Sequence, residues 1–319
     1  MNSLVPSPQR GDDAGDECPP IGGIGWDEAI VQTQAMLKCL RTLSITGAAL
    51  LLASCNEGVL DPHGPVGRAE RVILYNATAI MLAVVVPVII LTLVFAWWFR
   101  AKNSAAKYRP DWEYSGRIEM IIWSIPALVI LFLGGIAWTS SHDLDPPAPL
   151  ADTKTPLDIE VISLDWRWLF IYPREGIASL NRVVVPAGVP LRFRITSTTV
   201  MNSFFVPQLG SQIYAMPNMV TRLNLEADEP GTFQGLSAQF SGDGFSDMRF
   251  DLVSTDAATF KEWVDAAKIQ GAVLDANTFS DLAKPARADK PQTYSQVTEG
   301  LFDRISAGHM TATAPQREQ

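Results

Sequence analysis

The chain has 319 residues, 47% hydrophobic and 18% charged, with a formal net charge of −9 and a mean hydropathy of +0.11. Positive mean hydropathy argues against a purely cytosolic enzyme, and the acidic balance argues against a nucleic-acid binder, which needs a basic face to displace counterions. Three cysteines, Cys18, Cys39 and Cys55, are too few and too badly placed for a disulfide framework, and residues 143–308 hold neither cysteine nor histidine.

Residues 1–35 lack periodicity and read as a disordered leader. From Met36 the pattern changes to a short basic region (Lys38, Arg41), an apolar run from Leu43 to Leu52, and then Leu52-Ala53-Ser54-Cys55. That order predicts a secretory signal over 36–54. The tetrapeptide resembles the bacterial lipobox, which makes Cys55 the expected lipid attachment; the alternative is a plain signal with an incidental cysteine. A signal counted from Met36 has an ordinary length, so translation is expected to start there, or residues 1–35 to leave with the signal. One acyl chain anchors only weakly, which makes the lipid an auxiliary tether.

An exported segment, 55–71, leads to two apolar runs, each long enough to cross a bilayer as a helix. The first covers 72–99 and the second 118–139, with Pro87 and Pro126 inside them. Such prolines are tolerated where neighbouring helices satisfy the freed carbonyls. Trp97, Trp98, Trp123 and Trp138 lie near the ends, where aromatic rings favour the interface. The loop 100–117 carries Arg100, Lys102, Lys107, Arg109 and Arg117, a density that places it in the cytoplasm. Both mature termini are then expected outside, in agreement with an exported Cys55.

Residues 140–155, with Pro146, Pro147 and Pro149, read as a stiff linker. Short strands with turn signals about every ten residues predict a β-sandwich over 156–255. Beyond it, 256–319 is expected to be a helical extension with a frayed tail, on the strength of Phe260–Ile269, Phe279–Leu282 and Val297–Ile305. The fold class expected is a two-helix transmembrane hairpin followed by a sandwich and a short helical extension.

Asp165-Trp166-Arg167-Trp168, Phe170-Ile171-Tyr172-Pro173, Val200-Met201-Asn202-Ser203-Phe204-Phe205 and Gly210-Ser211-Gln212-Ile213-Tyr214-Ala215-Met216 carry a family signal, supported by Leu60-Asp61-Pro62 and Phe95-Ala96-Trp97. On these motifs the chain resembles subunit II of the cytochrome bo-type ubiquinol oxidases, within the haem–copper oxidase superfamily, from about Cys55 to at least Phe302. The resemblance implies a cupredoxin-like sandwich. It also implies that the positions of copper ligands in cytochrome c oxidases correspond here to Asn202, Ser237, Gln239, Ser241, Phe245 and Met248. Copper's electron-transfer centres need soft thiolates and imidazoles. Hydroxyls are hard donors, phenylalanine donates nothing, and Met248 alone is a poor ligand, so no metal is expected in this chain. Haems and copper are then expected in subunit I, with ubiquinol rather than cytochrome c as the electron donor. Membrane lipid and subunits I, III and IV are the implied partners.

Glu119 stands two residues after Arg117 at the start of the second span. An ionisable residue within a span is a functional candidate, and the resemblance implies a place near the mouth of a proton-uptake channel. The alternative is a carboxylate stabilised by the helix N-terminus and Arg117. Trp166 and Trp168 match the aromatic segment of electron transfer in copper-bearing relatives; without copper they are expected to fill the core or contact subunit I. Asp165, Arg167 and Arg174 could bridge to that partner, and His63, His142 and His309 stand isolated. The sequence thus reads as a non-redox subunit II of a proton-pumping ubiquinol oxidase. The rivals are a cytochrome c oxidase subunit II, which the missing ligands nearly exclude, and a membrane-tethered lipoprotein scaffold or binding module outside any oxidase.

Overall fold

Two long helices precede a β-sandwich in the computed structural model, which describes residues 58–107, 110–111, 113–150, 154–287 and 290–309. The leader, the signal and Cys55 lie outside the described residues. Helix α1 spans Pro65–Trp98 and α2 spans Gly116–Asp143. At 1.5 Å per residue these reach about 50 and 40 Å, beyond the ~30 Å hydrocarbon core. Their most apolar windows are wholly unburied within the chain, so these surfaces face lipid or another protein. Both helices continue through their prolines, Pro87 and Pro126, each of which removes one backbone donor.

Helix α1 begins well before the expected Val72. Its first two turns carry Arg68, Glu70 and Arg71, which a hydropathy reading passes over. They belong to the helix because they dock on the sandwich. The Gly67 amide donates to Leu209 O at 3.0 Å, Arg68 pairs with Asp228, and the Ser211 hydroxyl donates to Glu70. Helix α2 likewise runs on to Asp143, so the expected linker starts as helix. Its proline-rich part is pinned rather than free: the Asn224 side-chain amide donates to Pro147 O and Ala148 O, each at 3.0 Å.

The sandwich begins with β1 (Leu157–Leu164), β2 (Arg167–Tyr172), β3 (Ile177–Leu180), β4 (Arg182–Pro186), β5 (Leu191–Ser197) and β6 (Asn202–Phe205). It continues with β7 (Ile213–Ala215), β8 (Thr221–Leu225), β9 (Gly231–Ser237) and β10 (Arg249–Thr255). After them come α3 (Ala257–Gln270), β11 (Ala272–Leu274), α4 (Ala276–Leu282), β12 (Gln292–Val297) and α5 (Leu301–Ser306). One sheet has the order β11-β12-β3-β2-β1-β5-β8 and the other β4-β10-β9-β6-β7. The first sheet therefore does not end at Thr255, because β11 and β12 of the extension add to its edge. Their short, mixed-polarity sequences carry no alternation that would announce them; the open edge of β3 selects them, with Tyr294 opposite Ala178.

The core between the sheets holds Trp168, Phe170, Tyr172, Phe193, Phe204 and Phe250. Trp168 meets Phe204 edge-on, with ring centroids 5.4 Å apart and planes at 76°, a geometry that adds about 0.5–1.5 kcal/mol beyond burial. Strand β2 is buried on both faces: Leu169 and Ile171 point into a second core with Phe279, Tyr294, Leu301 and Phe302. The C-terminal extension supplies that second layer.

Candidate functional site

Two places bring the singled-out residues together: the end of the sandwich around the β9–β10 loop, and the start of α2. In the antiparallel β9–β10 pair, Leu236 faces Arg249, so the loop between them lies beside β6. Ser237 is buried, and its hydroxyl lies 3.2 Å from Asn202 Oδ1 and 3.3 Å from the Gln239 carbonyl. The Ser237 amide donates to Met248 O at 3.1 Å, and the Met248 side chain is buried in the main core. The fold thus gathers Asn202, Ser237, Gln239 and Met248 at one spot. Phe245 lies further along the loop, where its ring meets Phe240 at 5.6 Å.

Ser241 joins through its carbonyl, which accepts from Trp166 Nε1 at 3.1 Å, while its own hydroxyl is buried without a hydrogen-bond partner. Trp166 occupies a two-residue hairpin turn with φ 68°, in the left-handed region that side chains rarely adopt. That backbone lays the indole over Gly244, where an added Cβ would collide with the ring. Arg287 stacks over the indole at 5.6 Å.

Copper is the group this fold family implies for such a loop, and the residues present do not fit it. Two hydroxyls, two amides, a phenyl ring and a thioether are not the thiolate and imidazole set of a fast one-electron centre, and three of these side chains, those of Asn202, Ser237 and Met248, are buried. Among the described residues no group of three or more His, Cys, Asp or Glu converges as for a metal.

At the start of α2, Glu119 lies in the first helical turn and is exposed, its amide donating to Ser115 O at 3.0 Å. Among the described residues its carboxylate has no ion-pair partner. The helix N-terminus favours its negative charge, and its exposure leaves it open to a neighbour beside the helix.

Several expectations change in three dimensions. Arg167 does not reach outward; it donates to Leu282 O and to Lys284 O, clamping the extension onto the turn before β2. Asp165 accepts from the Thr199 hydroxyl, and Arg174 donates to Asp158 at 2.9 Å. Each of the three has a hydrogen-bond partner within the chain. His142 packs on Trp138 at 4.6 Å and contacts its carbonyl. His63 is not isolated, since it sits between Glu229 and Asp61.

Sequence reading also passes over a charged ladder on the outer face of the first sheet. Asp158 lies opposite Arg192, and Glu160 opposite Arg194, at 2.6 Å in the second pair. Burial pushes the Glu160 carboxyl above its ordinary range despite Arg194 beside it. The period-two alternation of acid on β1 and base on β5 is the signal that could have found it. These residues help to line a cleft of about 610 Å³ with Arg222 and Asn224.

Residues 162–254 match the family "Cytochrome C oxidase subunit II, periplasmic domain", and residues 268–311 match the "COX Aromatic Rich Motif". The chain is 48% identical over 266 residues to the cytochrome bo(3) ubiquinol oxidase subunit 2 of Pseudomonas aeruginosa, covering 83% of this chain and 80% of that one. It is 47% identical to the ubiquinol oxidase subunit 2 of Acetobacter aceti, over 85% of this chain and 89% of the relative. To the quinol oxidase subunit 2 of Bacillus cereus it is 32% identical, over 74% and 82% respectively. With two membrane-length helices, a sandwich of the matched kind and identity of this extent, the chain belongs to the ubiquinol oxidase subunit 2 family.

Proposed function

We propose that the chain is the non-redox subunit II of a proton-pumping ubiquinol oxidase, supporting assembly of subunit I and contributing Glu119 to proton uptake. The observation that carries the reading is the β9–β10 loop, which keeps a compact arrangement of Asn202, Ser237, Gln239 and Met248 while offering hydroxyl and amide groups in place of soft ligands. A copper relay serves electrons that arrive singly from a soluble carrier. A quinol dissolved in the bilayer can reduce haem in the membrane subunit directly, so the sandwich can keep its fold without that task. The haems, copper and quinol site then belong to subunit I, with subunits III and IV as further partners and no cytochrome c. The chain sits in the bacterial inner membrane with its sandwich and both mature termini in the periplasm, tethered by lipid at Cys55.

Glu119 suits proton uptake because it is an exposed carboxylate at the mouth of a span, on the same side as the basic loop. The test compares complexes purified in mild detergent from wild-type and Glu119→Ala cells. The expected result is a haem-bearing partner in both, equal haem content, and slower proton-coupled turnover in the variant. A chain that brings down no haem-bearing partner would overturn the subunit reading. Unchanged turnover at equal haem content would remove the role of Glu119.

A further inference from the structure

We propose that His63 is a proton-operated clasp, which in its charged form fastens the root of α1 to the β8–β9 turn of the sandwich. The geometry of the ring carries the proposal. Nδ1 lies 2.8 Å from Glu229 Oε1, and Nε2 lies 3.2 Å from Asp61 Oδ2. A neutral imidazole has one N–H, so one contact would set a lone pair against a carboxylate; the imidazolium donates to both. The two acids come from different places, Asp61 from the segment before α1 and Glu229 from the turn. Loss of the proton therefore sets one of the two carboxylates against a lone pair and loosens the link between the segment before α1 and the turn, which backbone bonds and the Arg68–Asp228 pair also hold.

The surroundings hold the ring in that bridge. Its face packs on Phe233, with centroids 5.1 Å apart. The His63 amide donates to Gln208 O at 2.7 Å, and its carbonyl accepts from the Asp228 amide at 2.9 Å. At Gly64 a Cβ would collide with the Glu226 carbonyl, so the segment lies flush against the turn. The other charged groups nearby are Arg68 of α1 and, on the turn, Glu226 and Asp228. Arg68 and Asp228 engage each other, and residues 206–210 contribute no titratable side chain. Burial pulls the His63 pKa down, but the bonds to Glu229 and Asp61 outweigh it and hold the folded value above 6.5. A raised folded value makes the contribution of the clasp fully present below pH 6.5 and lost as pH rises through the folded value. On the proposed topology, which this point alone rests on, the clasp faces the periplasm and tightens as that compartment acidifies.

Hydrogen exchange on the full chain in its complex tests the idea without turnover, so its outcome is independent of proton pumping. The readout is protection of residues 61–67 and 226–231 between pH 5.5 and 8, corrected for intrinsic rates. Wild-type protection is expected to fall as pH rises, by about tenfold for each unit by which the clasp lifts the pKa. His63→Gln should be poorly protected throughout, with β2 unaffected, and His63→Lys should stay protected throughout. Should His63→Gln lose the whole sandwich, Glu229→Gln serves instead and is expected to move the transition to lower pH. Wild-type protection independent of pH, or an unmoved transition in Glu229→Gln, would overturn the proposal.

Discussion

Single side chains in this protein complete what the sheets leave unfinished, and Tyr172 is the clearest instance. Strand β4 is an edge of its sheet, and Val184 on it is buried. The Tyr172 hydroxyl reaches across the core, accepting from the Val184 amide at 2.8 Å and donating to its carbonyl at 2.9 Å. Burial pushes the phenol well above its ordinary pKa, so it stays protonated and keeps donating at any pH the protein meets. Tyr172→Phe preserves the ring and strands two backbone groups in an apolar interior. The expected cost is about 1–3 kcal/mol, read as faster native-state hydrogen exchange in β2 and β4 of the full chain. At this scale the sequence is legible only where chemistry is local. Ser237 and Asn202 can be marked because a motif surrounds them, and the structure brings them within hydrogen-bond reach. His63 cannot be read in this way, because the acid at its Nδ1 lies 166 residues along the chain.

Elements obey their patterns where one environment decides and depart where two do. The apolar spans are readable because lipid or protein of one polarity surrounds them. The root of α1 is not, because its first turns answer to the sandwich rather than to the bilayer. Small residues make that docking possible. A Cβ on Gly210 would stand 2.8 Å from Val66 Cγ1 and 2.9 Å from Leu225 Cδ2, and one on Gly67 would stand 3.2 Å from Gln208 O. Gly210→Val forces Val66 and Leu225 apart at a cost of about 1–3 kcal/mol. The expected outcome is proteolytic cleavage near residues 58–66 at least several-fold faster than in wild type, with the core of the sandwich still resistant; an unchanged rate would show that the helix root is not packed on this loop. The same principle governs the extension. Strand β2 lacks alternating burial because Trp168 and Phe170 serve one core while Leu169 and Ile171 serve another. In the sequence the segment reads as one more alternating strand, and it conceals the layer that β12, α4 and α5 add.

At the scale of the whole molecule, most of the positions that the resemblance matches to copper ligands are held by the packing and hydrogen bonds of the chain itself. Among the positions singled out at the β9–β10 loop, the Ser241 hydroxyl is buried without a hydrogen-bond partner, although buried polar groups ordinarily have one. Here Asn202 and Ser237 are buried beside each other, Met248 belongs to the aromatic core, and Trp166 with Arg287 closes the loop from outside. The packing energy of the loop therefore comes from side-chain contacts already in place. Copper added to the full chain purified without its partner subunits should not be retained stoichiometrically after chelation, and should produce no near-infrared band. Its addition should also leave the melting temperature unchanged, since a ligand stabilises only the state that binds it. Stoichiometric copper with that absorption would mean that the loop can rebuild a soft-ligand site from groups these positions lack. It would restore the one-electron relay and reverse the choice of quinol as the donor.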